Sequence, residues 1–181
     1  MAVSTIGAVP TPRSSSFTGW VVTSLVWLCT LIPYALIAFG LRFVVARVFF
    51  LSGQTMIDGP IIPLGGAGRD LSLSIILPAE IKDATFQIFQ TQYAGLPMSP
   101  TVAAYLFSYA EFVLPICLVF GFAARFAALG LLALTVLVSV YVMPEAFWST
   151  HVYWIAILMV LVSVGPGAIS LDAFIRYLHE R

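Results

Sequence analysis

Four stretches of this chain stay apolar for about the length that an α-helix needs to cross a ~30 Å hydrocarbon core. They cover residues 33–54, 101–121, 124–143 and 151–168. Polar positions cluster between the first two, at 57–100, and toward the two ends. The pattern predicts an all-α membrane protein: a four-transmembrane-helix bundle with an extracytoplasmic segment between helices 1 and 2. A shorter apolar run, 17–32, ends at Pro33. It reads as an interfacial helix or an extension of the first span, with Trp20 and Trp27 at interface depth. The chain thus divides into a tail with that helix (1–32), the bundle (33–168, outer segment 57–100) and an amphipathic cytoplasmic tail (169–181).

Within 57–100, Asp58-Gly59-Pro60 is turn chemistry. Two apolar runs, Ile61-Ile62 and Leu71–Leu77, flank Gly65-Gly66-Ala67-Gly68, a hairpin pattern. Pro78 then opens a helical pattern through Tyr93, with Ile81, Ala84, Ile88 and Phe89 on one face. This helix is expected on the membrane surface, capping the bundle. At the C-terminus, Leu171, Phe174, Ile175 and Leu178 form a second amphipathic face.

Composition agrees with the pattern. Charged residues make up 9% of the chain, against about 25% in soluble domains. Zero net charge offers no footprint for nucleic acid. Cys29 and Cys117 lie in apolar runs with no C-x-x-C, which argues against a thiol relay or covalent haem. Arg13, Arg125, Arg176 and Arg181 fall on one side of a four-span topology, and Arg69 and Lys82 on the other. The positive-inside rule puts both termini in the cytoplasm and the 57–100 segment outside.

The candidate chemistry lies in the few charges that interrupt the spans. A charge in a bilayer normally faces a partner or a wet cavity. Arg42 lies nine residues after Pro33, ~13 Å into the first span, and Glu111 ten residues after Thr101, ~15 Å into the second. Counted this way they share a level and predict a buried ion pair, either a proton-handling centre or a purely structural pair. Arg47 is then surplus. With Gln54 and Asp58 it forms a stripe toward the outside. It either snorkels outward or is neutralised by Asp58, or it borders an outward pocket with Gln54 and His151, closed by Trp148 and Trp154. His179 is expected on the opposite side from His151, so paired histidine ligation of haem is not available. No haem or metal is predicted.

Arg42 with Phe49 and Gly53, Ala110-Glu111 with Gly121 and Arg125, and the ending Gly165-Pro166-Gly167-Ala168-Ile169-Ser170-Leu171-Asp172 resemble the DoxX family of bacterial membrane proteins. The resemblance spans about residues 34–175. Ala46 stands where a glycine is common in that family, and Met56 near a common lysine. The resemblance implies a four-helix bundle linked to redox and sulfur metabolism, including the membrane subunit of a thiosulfate:quinone oxidoreductase. Two readings stay open. One is a membrane redox subunit that binds a quinone or a small sulfur anion such as thiosulfate. The other is a non-enzymatic partner or anchor for a redox, copper-handling or oxidative-stress system, docking through 57–100. Oligomerisation is open in both.

Overall fold

The computed structural model describes residue 21 and residues 34–63, 74–167 and 169–179. The chain separates into units Met1–Tyr34 and Ala35–Arg181. The expected helix at 17–32 lies outside the described residues, apart from the helical Val21. The second unit carries the bundle.

Its elements are α1 (Tyr34–Met56), β1 (Ile57–Asp58), β2 (Ile61–Pro63), β3 (Ser74–Ile76), β4 (Glu80–Ile81), α2 (Asp83–Thr91), α3 (Pro100–Phe120), α4 (Ala124–Tyr141), α5 (Val152–Val164) and α6 (Leu171–His179). A 3-10 turn (Pro144–Ala146) and a π-helical turn (Phe147–His151) lead into α5. Among the described residues, four helices are long and apolar enough to cross a membrane: Tyr34–Met56, Pro100–Phe120, Ala124–Tyr141 and Pro144–Val164. The four-span expectation therefore holds, with boundaries moved by a few residues. The fourth span starts earlier because the segment after Met143 coils at once into helical turns.

Local chemistry sets the ends of α3. Ser99 accepts a hydrogen bond from the Val102 amide, and Pro100 occupies the first turn, where its missing N–H costs nothing. At the other end Gly121 adopts φ 69°. A side chain is excluded there twice over. The backbone is left-handed, and a Cβ would stand 2.5 Å from an Arg42 guanidinium nitrogen. The chain reverses through Ala123 (φ 47°) directly into α4. Both carboxylate oxygens of Asp172 accept the first amides of that helix, from Ala123 at 2.8 Å and Ala124 at 3.0 Å. Asp172 is a cap supplied from elsewhere in the chain, at the positive end of α4.

Two contacts set the height of α1 against α3. Gly53 lies on the backbone of Glu111. The Arg42 guanidinium donates to the carbonyls of Leu118 and Val119 at 3.4 and 3.3 Å. From Gly53 down to Arg42 is ~16 Å of helix, while from Glu111 down to Phe120 is only ~14 Å. The first turns of α1 therefore run past the end of α3. There Ala35 and Ala38 pack on Gly167. At its other end α1 stops at Met56, well short of the first turn of α3.

The space beside the first turns of α3 is filled by the 57–96 segment. β2 pairs with β3 (Ile61 with Ile76) and β1 with β4 (Ile57 with Ile81), so the expected hairpin forms and extends beyond 61–77. The expected helix beginning at Pro78 is corrected. β4 takes residues 80–81, so the helix starts at Asp83 with a different phase. Thr85 and Phe89 are buried, while Ala84 and Ile88 are exposed. α2 packs on the side of α3, with Phe86 against Tyr105 and Phe89 against Phe107, both at 5.5 Å between ring centres. On α6, Leu171, Phe174, Ile175 and Leu178 are all exposed, an apolar face suited to a membrane surface.

Candidate functional site

At mid-height, α1, α3, α4 and the π-helical turn enclose a cavity of about 140 Å³. Its polar lining is Ser52, Tyr93, Glu111, Thr135 and His151; Phe49 and Trp154 supply aromatic walls. The volume is close to the ~150 Å³ that accepts one benzene ring.

Glu111 reaches this position because α3 carries it halfway along its length, opposite Gly53. Glu111 is 7% exposed. The Ser52 hydroxyl is within hydrogen-bonding reach of its carboxyl group. Its Oε2 atom is buried with no hydrogen-bond partner among the described residues. Ser108 Oγ on the same helix is also buried without a partner among the described residues, but Oε2 belongs to the residue that lines the cavity. Pro115, four residues on, cannot donate to the Glu111 carbonyl, and this locally loosens α3 at the acid.

His151 is placed by the π-helical turn, a device common at functional sites. Its Nδ1 lies 2.8 Å from Ser139 Oγ. The Ser139 hydroxyl donates its one proton to the Thr135 carbonyl at 2.6 Å. It can therefore only accept from the ring, which places the proton on Nδ1 and leaves Nε2 as the basic atom. The imidazole sits 5.5 Å from the Trp154 ring, and Phe49 meets Trp154 edge-on at 5.6 Å.

Tyr93 enters from the turn after α2 and stacks on Phe89 at 4.4 Å. Burial first, and the negative charge of Glu111 second, push its phenol above the ordinary tyrosine range. It is a phenolic donor at neutral pH.

The cavity holds only part of the expected constellation. His151, Trp154 and Glu111 converge. Arg42 does not join them. Its guanidinium sits ~11 Å further along α3 than Glu111, counted from the carbonyls that it binds. There it donates to Ala38, Leu118, Val119 and, at 2.5 Å, Ile169. The expected Arg42–Glu111 pair is thus corrected: both were placed by counting from their own helix ends, but α1 overshoots α3. Arg47 is exposed and lines a separate groove on the opposite side of α1. Gln54 spends both ends of its amide on Ile76, donating to its carbonyl at 3.0 Å and accepting from its amide at 2.7 Å. It is a strut tying β3 to α1. Asp58 accepts from the Gly59 amide, beyond the helix end, so no stripe with Arg47 forms. Trp148 is 78% exposed and packs on Phe147, leaving the cavity to Trp154.

Ser52, Tyr93 and Thr135 were not expected at a site. No group of three or more His, Cys, Asp or Glu side chains able to hold a metal ion occurs among the described residues.

The motifs quoted above now separate by role. Phe49, Gly53 and Glu111 belong to the cavity. Arg42, Gly121, Arg125, Ser170 and Asp172 form a knot at the end of the bundle, where Arg125 donates to the Val164 carbonyl and Ser170 caps α6 through the Ala173 amide. No curated protein and no solved structure matches the chain. The family model described as DoxX matches residues 37–144, more than half of the chain and most of the bundle, and the chain belongs to the DoxX family of membrane proteins.

Proposed function

We propose that this protein is a membrane redox subunit whose cavity receives the headgroup of a quinone and exchanges protons with it. One observation carries the reading: Glu111 places a buried, unpartnered carboxyl oxygen at a ring-sized cavity that also holds His151 and Tyr93. Reduction of a quinone to a quinol takes two electrons and two protons. The electrons would come from an associated donor protein or substrate. The protons would pass through Glu111 and the basic Nε2 of His151, the carboxyl and imidazole groups that line the cavity. Phe49 and Trp154 would flank the ring, and the Tyr93 hydroxyl would donate to a quinone oxygen.

A small anion such as thiosulfate suits this cavity less. Among the described residues no lysine or arginine lines it, and an ionised Glu111 would repel the charge. By the positive-inside rule the end bearing Arg125 and Arg176 faces the cytoplasm of a bacterial inner membrane, and the hairpin end faces outward.

The alternative, a non-enzymatic membrane partner, draws support from the hairpin. Ile61 is 64% and Ile62 45% exposed there. Solvent extraction of the purified protein, with chromatography of the extract, separates the two readings. Quinone retained by the native chain, and lost from both Glu111→Gln and His151→Ala, supports the first. No retained quinone, together with a stably copurifying partner, overturns it in favour of the second.

A further inference from the structure

The cavity leaves Arg47 unexplained. This arginine lines a groove of about 580 Å³ on the opposite face of α1, a volume within the ~300–1,000 Å³ range of small-molecule sites. Phe43, Phe50, Leu51, Pro115, Ile116 and Phe120 make most of its wall. Arg47 is the one charged residue among its described lining residues. The amide of Gln54, at the upper end, is already spent on Ile76. No hydrogen bond or ion pair holds the Arg47 side chain among the described residues.

Height decides what such a groove can hold. Arg47 lies ~9 Å below the Gly53–Glu111 contact, and Phe120, the last residue of α3, ~14 Å below it. Arg47 is therefore within ~5 Å of the α3 terminus, inside the reach of a snorkelling side chain. The groove runs from Phe43 and Phe120, ~5–6 Å below Arg47, up to Ile75 and Ile76, near the middle of the bundle. A cation stands in the interface-side half of the groove, and the apolar trough continues past it into the membrane.

We infer that this groove binds an anionic phospholipid of the leaflet on the Gly121 side. Its phosphate sits on the Arg47 guanidinium, which can offer two parallel N–H donors. One acyl chain lies between α1 and α3 along Phe50 and Ile116 toward Ile76. A zwitterionic lipid fills the trough equally well but brings no net charge to Arg47. A free anion satisfies Arg47 but leaves the trough empty.

The full chain, purified in detergent, is titrated with dioleoyl phosphatidylglycerol or dioleoyl phosphatidylcholine and examined by native mass spectrometry. Phosphatidylglycerol adducts are expected in roughly fivefold excess, the preference one arginine confers near a membrane surface. Arg47→Gln should abolish the excess and Arg47→Lys should keep most of it. Leu51→Trp, which fills the trough from an exposed position, should lower adducts of both lipids. An undiminished preference in Arg47→Gln overturns the inference. So does displacement of the lipid by inorganic phosphate, which marks a free-anion site, or a copurifying membrane peptide that excludes both lipids. Should Arg47→Gln not fold, unchanged adducts in Leu51→Trp are sufficient to overturn it. None of these readouts depends on quinone.

Discussion

Gly53 lies flat against the backbone of Glu111: a Cβ on Gly53 would stand 2.9 Å from both the carbonyl carbon and the carbonyl oxygen of Glu111. Small residues let membrane helices approach this closely. Here the close approach falls beside the one carboxylate of α3, on the carbonyl that Pro115 leaves without its usual donor. The packing of α1 on α3 and the position of the acid are thus one feature. Gly53→Ala should force the helices apart and cost ~1–3 kcal/mol, as overpacking does. It should also lower quinone retention, because Glu111 moves with its backbone. Thermal unfolding in detergent, with quinone extraction from the same samples, checks both. Native stability in Gly53→Ala would mean that α1 slides without cost and does not position the acid.

Asp172 is predicted to be structural. It accepts two amides at the start of α4, where Ala123 offers no side chain for capping. Asp172→Ala should cost ~0.5–2 kcal/mol, the usual range for loss of an N-cap. The cavity lies at mid-height, so quinone retention per folded molecule should not change. Reduced retention with unchanged stability would assign Asp172 to the site instead.

The spans were legible because run length alone reports them. Ile61, Ile62 and the glycines after Leu64 likewise announced the β2–β3 hairpin. Depth was not legible. Counting from Pro33 and from Thr101 assumed that each helix begins at a membrane face, and the overshoot of α1 at Gly121 broke that assumption. The buried face of α2 was misjudged for a similar reason. Pro78 looked like a helix start, but β4 intervenes and shifts the phase to Thr85 and Phe89. The Arg47–Gln54 grouping failed because a stripe on one helix says nothing of which neighbour it meets. A signal for part of the cavity was present: Thr135 and Ser139, four residues apart, put two hydroxyls on one face of an otherwise apolar span. Tyr93 carried no such mark, since its approach depends on how α2 packs on Phe107.

Orientation has its own test. The end bearing Gly121, Arg125 and α6 should face the cytoplasm, and the hairpin and the turn at Glu145 should face outward. Single cysteines replacing the exposed Ile61, Trp148 and Tyr177 in a Cys29→Ser, Cys117→Ser background report it through a membrane-impermeant maleimide. In intact cells stripped of the outer barrier, positions 61 and 148 should label and position 177 should not. The reverse pattern would invert the topology.

The height difference between Arg42 and Glu111 makes the most direct prediction. Arg42 is fully buried and donates to carbonyls of α1, α3 and the segment before α6. Arg42→Met keeps the volume of the stem but strands those acceptors. Each buried polar group left without a partner costs ~1–3 kcal/mol, so the bundle should lose several kcal/mol or fail to assemble. Glu111→Gln removes a buried acid whose Oε2 has no partner, so stability should hold or rise. The two changes should then add within ~0.5 kcal/mol, as distant sites do. A buried ion pair behaves differently: breaking it from either side costs ~3–5 kcal/mol, and removing both partners recovers much of the loss. Unfolding free energies of the two single variants and the double variant, measured in mixed micelles, distinguish these cases. Recovery in the double variant would restore the pair and move Arg42 back beside the cavity; additivity leaves Arg42 as the clasp that holds α1 to the end of α3, and Glu111 as the acid of a separate site.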